Sequence, residues 1–181
     1  MNIRLAGICP NSLVNGPGMR RVIFAQGCKH NCKGCFNPDT HDFNGGEIKD
    51  CDKIIEDIIS DPIIKGVTFS GGDPFEQAES FAYIAKEIKK KRPEMNIWSY
   101  TGYELNHLIM NANDENKWMD LLESIDVLVD GKFSESDIKE GIKFRGSDNQ
   151  IIWEIKNTIE DGEETMSFSI KNDYYDKAKL V

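Results

Sequence analysis

Short apolar runs separated by longer amphipathic stretches recur along the chain and predict strands that alternate with helices. Residues 21–26 form a mostly apolar run bounded by Gly18 and Gly27, which is typical of a buried strand. Similar runs predict strands at 66–70, 95–100, 125–129 and 150–155. Because strands and helices alternate, we expect an α/β protein with a mainly parallel sheet and right-handed crossovers.

The amphipathic stretches between these strands predict helices. The first follows Asn44-Gly45-Gly46-Glu47, which is typical of a capping box, and apolar residues recur at helical spacing at Ile48, Cys51, Ile55 and Ile58. Cys51 lies on this apolar face, and we interpret it as a packing thiol of the core. The second helix opens at Asp73, and its apolar face contains Phe75, Ala78, Ala82, Ala85 and Ile88. A third helical region follows the third strand and has a predicted break over 111–116.

Length and charge narrow the class of protein. The chain has 181 residues, 39% of them hydrophobic and 29% charged, which predicts a single domain over 1–181. We expect a core at about 15–155 and a C-terminal extension at 156–181, where Asp161-Gly162 could turn a hairpin. The net charge of −9 argues against a nucleic-acid partner, and no apolar run approaches the ~20 residues that span a bilayer. Met1 leads directly into a strand-like segment, so we expect a cytoplasmic protein.

Four basic residues, Arg20, Arg21, Lys29 and Lys33, lie close together in the sequence. They form either an ordinary solvated surface or a docking patch for an acidic electron donor. If they form a docking patch, reversing the charges of Lys29 and Lys33 would slow reduction by the donor. If they form an ordinary surface, the rate of reduction would not change.

The candidate chemistry lies in Cys28, Cys32 and Cys35, which have the spacing C-x3-C-x2-C. Clusters that transfer electrons are ordinarily held by four cysteines, so three thiolates on a 4Fe-4S cluster leave one iron open to a ligand. Zinc is the alternative metal, with His30 or His41 as the fourth ligand of a zinc-binding interaction module. Disulfides are disfavoured because the chain has five cysteines, an odd number.

Polar or glycine-rich segments follow four of the predicted strands, at 26–28, 70–73, 100–103 and 130–132. Because ligands bind at the carboxyl ends of parallel strands, we expect these segments to converge on one site. Gly71-Gly72 lets a ligand approach the backbone closely. Asp73 has two candidate roles, as the partner of a ligand ammonium group or as the N-cap of the next helix.

An open iron, a glycine pair and a carboxylate together suit a ligand that carries amino and carboxylate groups. S-adenosylmethionine (SAM) is such a ligand, since both of these groups can chelate one iron. An electron from the reduced cluster would then break a C–S bond of the sulfonium and yield a 5′-deoxyadenosyl radical. In such a site the cofactor carries the chemistry, while the protein supplies orientation and excludes water.

The cysteine motif, followed by a strand that ends in Gly71-Gly72-Asp73, is similar to the radical SAM superfamily. Within it, the chain resembles the activating proteins of glycyl-radical enzymes, in particular those of anaerobic ribonucleoside-triphosphate reductase. One departure from the family pattern is Ile151, where a basic residue is expected. The segments that carry the resemblance are 15–20, 24–28, 35–38, 68–74, 100–103, 126–131 and 145–150.

This resemblance implies an incomplete (β/α) barrel, open on one side, that holds a 4Fe-4S cluster on Cys28, Cys32 and Cys35 as its catalytic centre. The substrate would be a glycine on the large subunit of the anaerobic reductase, which becomes a stored glycyl radical. A small electron-donor protein such as a flavodoxin or ferredoxin would reduce the cluster. Alternatives within the superfamily are a different glycyl-radical activase and an enzyme similar to carboxy-deazaguanine synthase. SAM binding is implied for Gly34, Cys35, Phe36, Ser70, Gly71, Gly72, Asp73, Tyr100 and Asp130.

Overall fold

The computed structural model describes residues 1–160 and 163–177. Within those residues, eight strands form one sheet in the order β3-β1-β2-β4-β5-β6-β7-β8. The strands are β1 Asn2–Ser12, β2 Arg20–Ala25, β3 Glu47–Asp50, β4 Gly66–Gly71, β5 Asn96–Tyr100, β6 Val127–Asp130, β7 Ile151–Glu160 and β8 Glu163–Ile170. The helices are α1 Cys51–Ser60, α2 Ala78–Lys91, α3 Leu105–Asn111, α4 Trp118–Leu122 and α5 Asn172–Lys177.

Parallel pairing occupies the centre of the sheet, where β2, β4, β5 and β6 lie side by side. On the flanks, β1 pairs antiparallel with β2 and β3, and β7 pairs antiparallel with β6 and β8. The described sheet is therefore mixed, where the sequence led us to expect a mainly parallel one. The connections explain the difference, because parallel neighbours need a crossover segment, which is usually a helix. The segment 131–150, between β6 and β7, contains a 3-10 turn at Glu135–Asp137 and no α-helix.

The predicted helix start at Asn44-Gly45-Gly46-Glu47 is wrong. Residues Glu47–Asp50 form β3 instead, which pairs with the first residues of β1, and the Ile48 side chain is 60% exposed. The edge of β1 offers these residues backbone partners, so tertiary pairing overrides the local helix signal. The helix begins at Cys51, where Asp50 acts as N-cap and accepts hydrogen bonds from the backbone N–H groups of Asp52 and Lys53.

The two faces of the sheet bury different apolar clusters. The larger cluster lies between one face of the sheet and the helices α1, α2 and α4. Its members include Cys51 and the residues predicted for the apolar face of the second helix, and all of these are buried. Cys51 is thus confirmed as a core thiol. The opposite face of the central strands carries a smaller cluster, in which Phe144 and Tyr175 pack on strand residues. The strand members of that cluster are Trp98, Val127, Val129 and Ile152.

The C-terminal extension continues the sheet and then ends in a short helix. β7 and β8 pair antiparallel from Trp153 and Ile170 to Glu160 and Glu163. The predicted turn residues Asp161-Gly162 lie outside the described residues. The predicted break over 111–116 separates α3 from α4 and is confirmed. Across the described ranges, no helix has both the length and the apolar character needed to cross a membrane.

Candidate metal and cofactor site

A cavity of about 460 Å³ opens at the carboxyl ends of the parallel strands. The ends of four different strands line it, namely the cysteine loop after β2, residues 70–72 at the end of β4, residues 100–102 at the end of β5, and Gly131 after β6. The predicted convergence of these strand ends is therefore observed. All three thiols of the cysteine loop, those of Cys28, Cys32 and Cys35, line this same cavity.

The cysteine loop, residues 27–37, is anchored to the segment that follows it. Gly27 N donates to Thr40 O at 2.8 Å, and Cys28 N donates to His41 O at 3.3 Å. The three thiols are free of disulfides and partly exposed. Burial raises the pKa of the Cys28 thiol, so metal binding there displaces a proton.

The chemistry of these donors fits a 4Fe-4S cluster. Three free thiols line one cavity, and Asn37 N donates to Cys35 Sγ at 3.4 Å. Hydrogen bonds of this kind to the sulfur ligands tune iron–sulfur clusters. Each cysteine of such a cluster binds its own iron, and the described residues contain no trio of His, Cys, Asp or Glu side chains placed to share a single ion.

Gly71 and Gly72 line the cavity, and packing inside the protein explains why they are glycines. A Cβ on Gly71 would lie 2.7 Å from backbone atoms of Phe24 and Ala25, and Gly71 has a φ of +97°. A Cβ on Gly72 would lie 2.4 Å from the carbonyl oxygen of Gly27. The glycine pair therefore lets the end of β4 pack against the start of the cysteine loop, and it also leaves backbone exposed to a ligand.

Asp73 braces the site from within the protein. Its Oδ2 accepts hydrogen bonds from His30 Nε2 at 2.6 Å, Thr101 Oγ1 at 2.8 Å and Gly102 N at 3.0 Å. Its Oδ1 accepts from Phe75 N at 2.9 Å, which is the predicted N-cap role. Asp73 is fully buried and is absent from the cavity lining, so the structure shows its N-cap role, and a contact with a ligand ammonium stays a prediction.

His30 is a site residue that the sequence interpretation missed, because it considered His30 as a zinc ligand alone. A carboxylate accepts hydrogen bonds, so Nε2 of His30 is the donor to Asp73. The His30 ring also contacts Tyr103 edge-on at 4.4 Å between centroids, and it would clash with any Cβ on Gly102. His30 thereby ties the cysteine loop to the ends of β4 and β5.

Aromatic side chains form the outer part of the cavity. Phe36 is 70% exposed and packs against Phe133 at 4.8 Å between ring centroids. Gly34 has a φ of +73° and packs beside Phe133 and Glu135. It therefore supports this wall, although it is not itself a lining residue. Tyr100 lines the cavity, and its hydroxyl donates to Phe144 O at 2.6 Å.

Asp130 lies in a neighbouring cavity of about 650 Å³ and not in the thiol cavity. Its Oδ2 accepts a hydrogen bond from Leu105 N at 2.6 Å, at the start of α3. Burial raises the pKa of the Asp130 carboxyl above its usual range. The two cavities share His30, Gly102 and Gly131 in their linings. Asp130 therefore positions α3 beside the site, and the contact with the cofactor that the resemblance implies stays a prediction.

The segment 144–150 supplies the remaining wall. Phe144, Arg145, Gly146 and Gln150 line the thiol cavity. The side-chain amide of Gln150 holds this wall together, since its Oε1 accepts from Gly146 N at 2.7 Å and its Nε2 donates to Gly131 O at 2.8 Å. The segment 145–150 is one of those that carry the family resemblance, but no local pattern in it indicates that it borders the thiols.

Two of the four basic residues are buried, so neither predicted interpretation, a solvated surface or a docking patch, holds for them. Arg20 is 1% exposed and donates to Thr68 Oγ1 and to the carbonyl oxygens of Val67 and Asn96. Arg21 is 7% exposed and forms ion pairs with two carboxylates of α1 and its C-terminal end, Asp57 and Asp61. Both arginines start β2, whose side chains are enclosed on both faces of the sheet. Lys29 and Lys33 remain exposed.

Comparison with known proteins agrees with this site. Residues 14–153 match the family described as a 4Fe-4S single cluster domain. Curated relatives include the anaerobic ribonucleoside-triphosphate reductase-activating proteins of Vibrio cholerae, Enterobacteria phage T4 and Escherichia coli K12, which are 41%, 35% and 38% identical to this chain. The alignments cover 79%, 81% and 81% of this chain and 92%, 90% and 96% of the respective relatives.

The fold and the thiol cavity define an α/β iron–sulfur protein, and the match to a single-cluster domain supports iron–sulfur over the zinc alternative. The chain belongs to the family of anaerobic ribonucleoside-triphosphate reductase-activating proteins, which are activating enzymes.

Proposed function

We propose that the chain is a radical SAM activase, which cleaves SAM reductively and generates a glycyl radical on the large subunit of an anaerobic ribonucleoside-triphosphate reductase. The names of its relatives support the reductase as the partner. When bound, a 4Fe-4S cluster with SAM on its open iron supplies the radical that removes a hydrogen from the target glycine. The surrounding fold, in this proposal, is the incomplete (β/α) barrel of the superfamily.

The observation that carries the proposal is that three thiols and the backbone of a glycine-rich strand end line one cavity. Its volume of about 460 Å³ lies within the roughly 300–1,000 Å³ of small-molecule sites. Cys28, Cys32 and Cys35 would hold the cluster, and the backbone at Gly71 and Gly72 would approach the amino-acid part of SAM.

The neighbouring residues would bind, orient and shield the ligand. Tyr100 and Phe36 line the cavity and offer apolar ring surface to a nucleoside. Asp73 would act indirectly, because its oxygens are bonded to His30, Thr101 and Gly102 and so fix the loop and the strand ends. Asp130 would act on α3 through Leu105 N. These braces keep the cavity in one shape before the ligand arrives.

The proposal also includes a reductant and a compartment. A flavodoxin or ferredoxin would deliver the electron, and the exposed Lys29 and Lys33 are the remaining basic residues of the predicted docking patch. A reducing cytoplasm suits free thiols, and the five cysteines of the chain are all free.

The test is anaerobic reconstitution with iron and sulfide, followed by electron spin resonance. We expect a reduced cluster signal that changes when SAM is added, and a glycyl radical doublet when the reductase is present. Cys28→Ala should abolish both signals because it removes a cluster ligand. Cys9→Ser is the matched control, since Cys9 is also a free thiol but lies outside the cavity lining.

The two signals test different parts of the proposal. A cluster whose spectrum ignores SAM would overturn the radical SAM assignment. Cleavage of SAM with no radical on the reductase would leave the cofactor assignment standing and overturn the partner.

A further inference from the structure

One wall of the thiol cavity has a backbone conformation that local sequence does not favour. Phe144 has a φ of +59°, in the left-handed region that non-glycine residues rarely adopt. Phe144, Arg145 and Gly146 all line the cavity. A bulky residue keeps such a conformation when surrounding contacts impose it, and such residues concentrate at functional sites.

Several of those contacts come from helix α5, about thirty residues further along the chain, in addition to the pairing of Arg145 with Asp148. The Asp176 carboxylate accepts from Arg145 through both oxygens, at 3.1 Å and 2.9 Å, and Oδ1 also accepts from Lys143 N at 3.0 Å. The Arg145 side chain is 2% exposed and the Asp176 side chain 26% exposed, so the arginine of this pair is shielded from water. A charge-assisted, two-point contact of this kind fixes geometry as well as charge.

Packing of aromatic rings also holds this segment in place. The Phe144 ring contacts Tyr175 of α5 at 5.7 Å and Trp98 of β5 at 5.6 Å between centroids, both edge-on. The Phe144 carbonyl accepts from the Tyr100 hydroxyl. Two adjacent residues of α5 thus hold residues 143–145, Asp176 through an ion pair and Tyr175 through a ring contact.

Helix α5 is itself pinned to the sheet at its first residue. Asn172 Oδ1 accepts from Ile152 N at 2.7 Å, and Asn172 Nδ2 donates to Gln150 O at 3.0 Å. The helix therefore has a fixed point on β7 from which Tyr175 and Asp176 reach the cavity wall. It also lies beyond residue 153, where the match to the single-cluster domain ends.

We propose that α5 is a clamp that positions residues 143–146 in the wall of the cofactor cavity, and that Asp176 is its positioning residue. The clamp rests on the proposed function, because the ligand it serves is SAM. Asp176 itself is absent from the cavity lining and acts through Arg145 and Lys143 N. The extension thereby completes a binding wall whose conformation the matched domain does not stabilise alone.

The experiment compares Asp176→Ala, Asp176→Asn and the control Asp173→Ala in cluster-loaded protein. Asp173 is on the same helix, but its side chain is 91% exposed and pairs with Lys177 of that helix. Hydrogen exchange in the absence of SAM reports the order of residues 143–147. Calorimetric titration of SAM into the oxidised protein reports the affinity without cleavage.

We expect the Asp176→Ala protein to load iron and sulfide fully. The backbone amides of residues 143–147 should exchange at least tenfold faster. SAM should bind about tenfold more weakly, because a slightly misplaced wall is less complementary to the ligand. Asp176→Asn keeps an acceptor oxygen for Lys143 N, so its values should fall between those of Asp176→Ala and the unchanged protein. Asp173→Ala should leave both values unchanged.

Unchanged exchange in Asp176→Ala would overturn the clamp. Faster exchange with unchanged SAM affinity would overturn its role in positioning the cofactor wall. If Asp176→Ala fails to fold, Asp176→Asn provides the same two readouts. An unaltered protein that does not bind SAM at all would overturn the proposed function, and hydrogen exchange would still decide whether α5 orders the wall.

Discussion

The thiol cavity has two walls that are built in different ways. The front wall, formed by the cysteine loop and the strand ends at 70–73 and 100–102, is held by hydrogen bonds that meet at Asp73. The back wall, residues 143–150, is held by Gln150 and by the distant helix α5. The front wall carries the three cysteines proposed to bind the cluster, so damage there should affect cluster loading, while damage to the back wall should affect ligand binding by a loaded protein.

The largest expected effect is that of Asp73→Ala. This change removes the acceptor of four hydrogen bonds at a fully buried position and leaves the donors of His30, Thr101 and Gly102 unpaired. A buried donor that is left without its acceptor costs about 1–3 kcal/mol in the free energy of unfolding, and this change leaves several. We expect iron content to fall together with stability, measured by urea unfolding and by iron analysis after anaerobic reconstitution.

Asp114→Ala is the control for that change, because the Asp114 side chain is fully exposed and its nearest cation, Lys117, is 3.9 Å away. It should leave both measurements unchanged. An Asp73→Ala protein that loads a full cluster would show that the front wall does not depend on this carboxylate.

Gly72→Ala should have the next largest effect. Its Cβ would lie 2.4 Å from the carbonyl oxygen of Gly27, directly before Cys28, the first of the proposed cluster ligands. Overpacking against backbone costs about 1–3 kcal/mol and here displaces the cysteine loop. Gly7→Ala is a matched control, since a Cβ on Gly7 meets nothing within 4 Å. Equal iron content in the two variants would contradict the packing explanation of the glycine pair.

Gln150→Ala tests the back wall and should affect a different measurement. The change leaves Gly146 N and Gly131 O without their side-chain partner, which costs about 1–2 kcal/mol. Because the hydrogen bonds of the Gln150 side chain go to Gly131, Gly146 and Ser147 and not to the cysteine loop, we expect normal iron content and weaker SAM binding by calorimetry. A loss of iron in this variant would show that the two walls are not independent.

Sequence reasoning located the front wall well and the back wall poorly. The cysteine spacing, the glycine pair and the polar strand ends are local signals, and they identified four segments that do meet at one cavity. The ion pair of Arg145 with Asp176 joins residues 31 positions apart, and no local pattern marks such a contact. The same limit explains the error at β3, where pairing with β1 decided between strand and helix. Arg20 and Arg21 were misplaced because charge alone does not reveal burial.

The smallest expected effect is that of Asp130→Asn, in the cavity that neighbours the thiol cavity. Burial raises the pKa of the Asp130 carboxyl, so the folded protein binds this proton more tightly than the unfolded chain does. Stability therefore falls as the pH rises from the ordinary carboxyl range through the raised pKa, and it is level above that value. The asparagine amide does not titrate in this range, but its oxygen can still accept from Leu105 N. We expect the free energy of unfolding, measured with urea, to differ between Asp130→Asn and the unchanged protein by less than about 1 kcal/mol. As the pH rises, the stability of Asp130→Asn should increase relative to that of the unchanged protein. Parallel stability curves for the two proteins across that range would contradict the assignment of a raised pKa to Asp130.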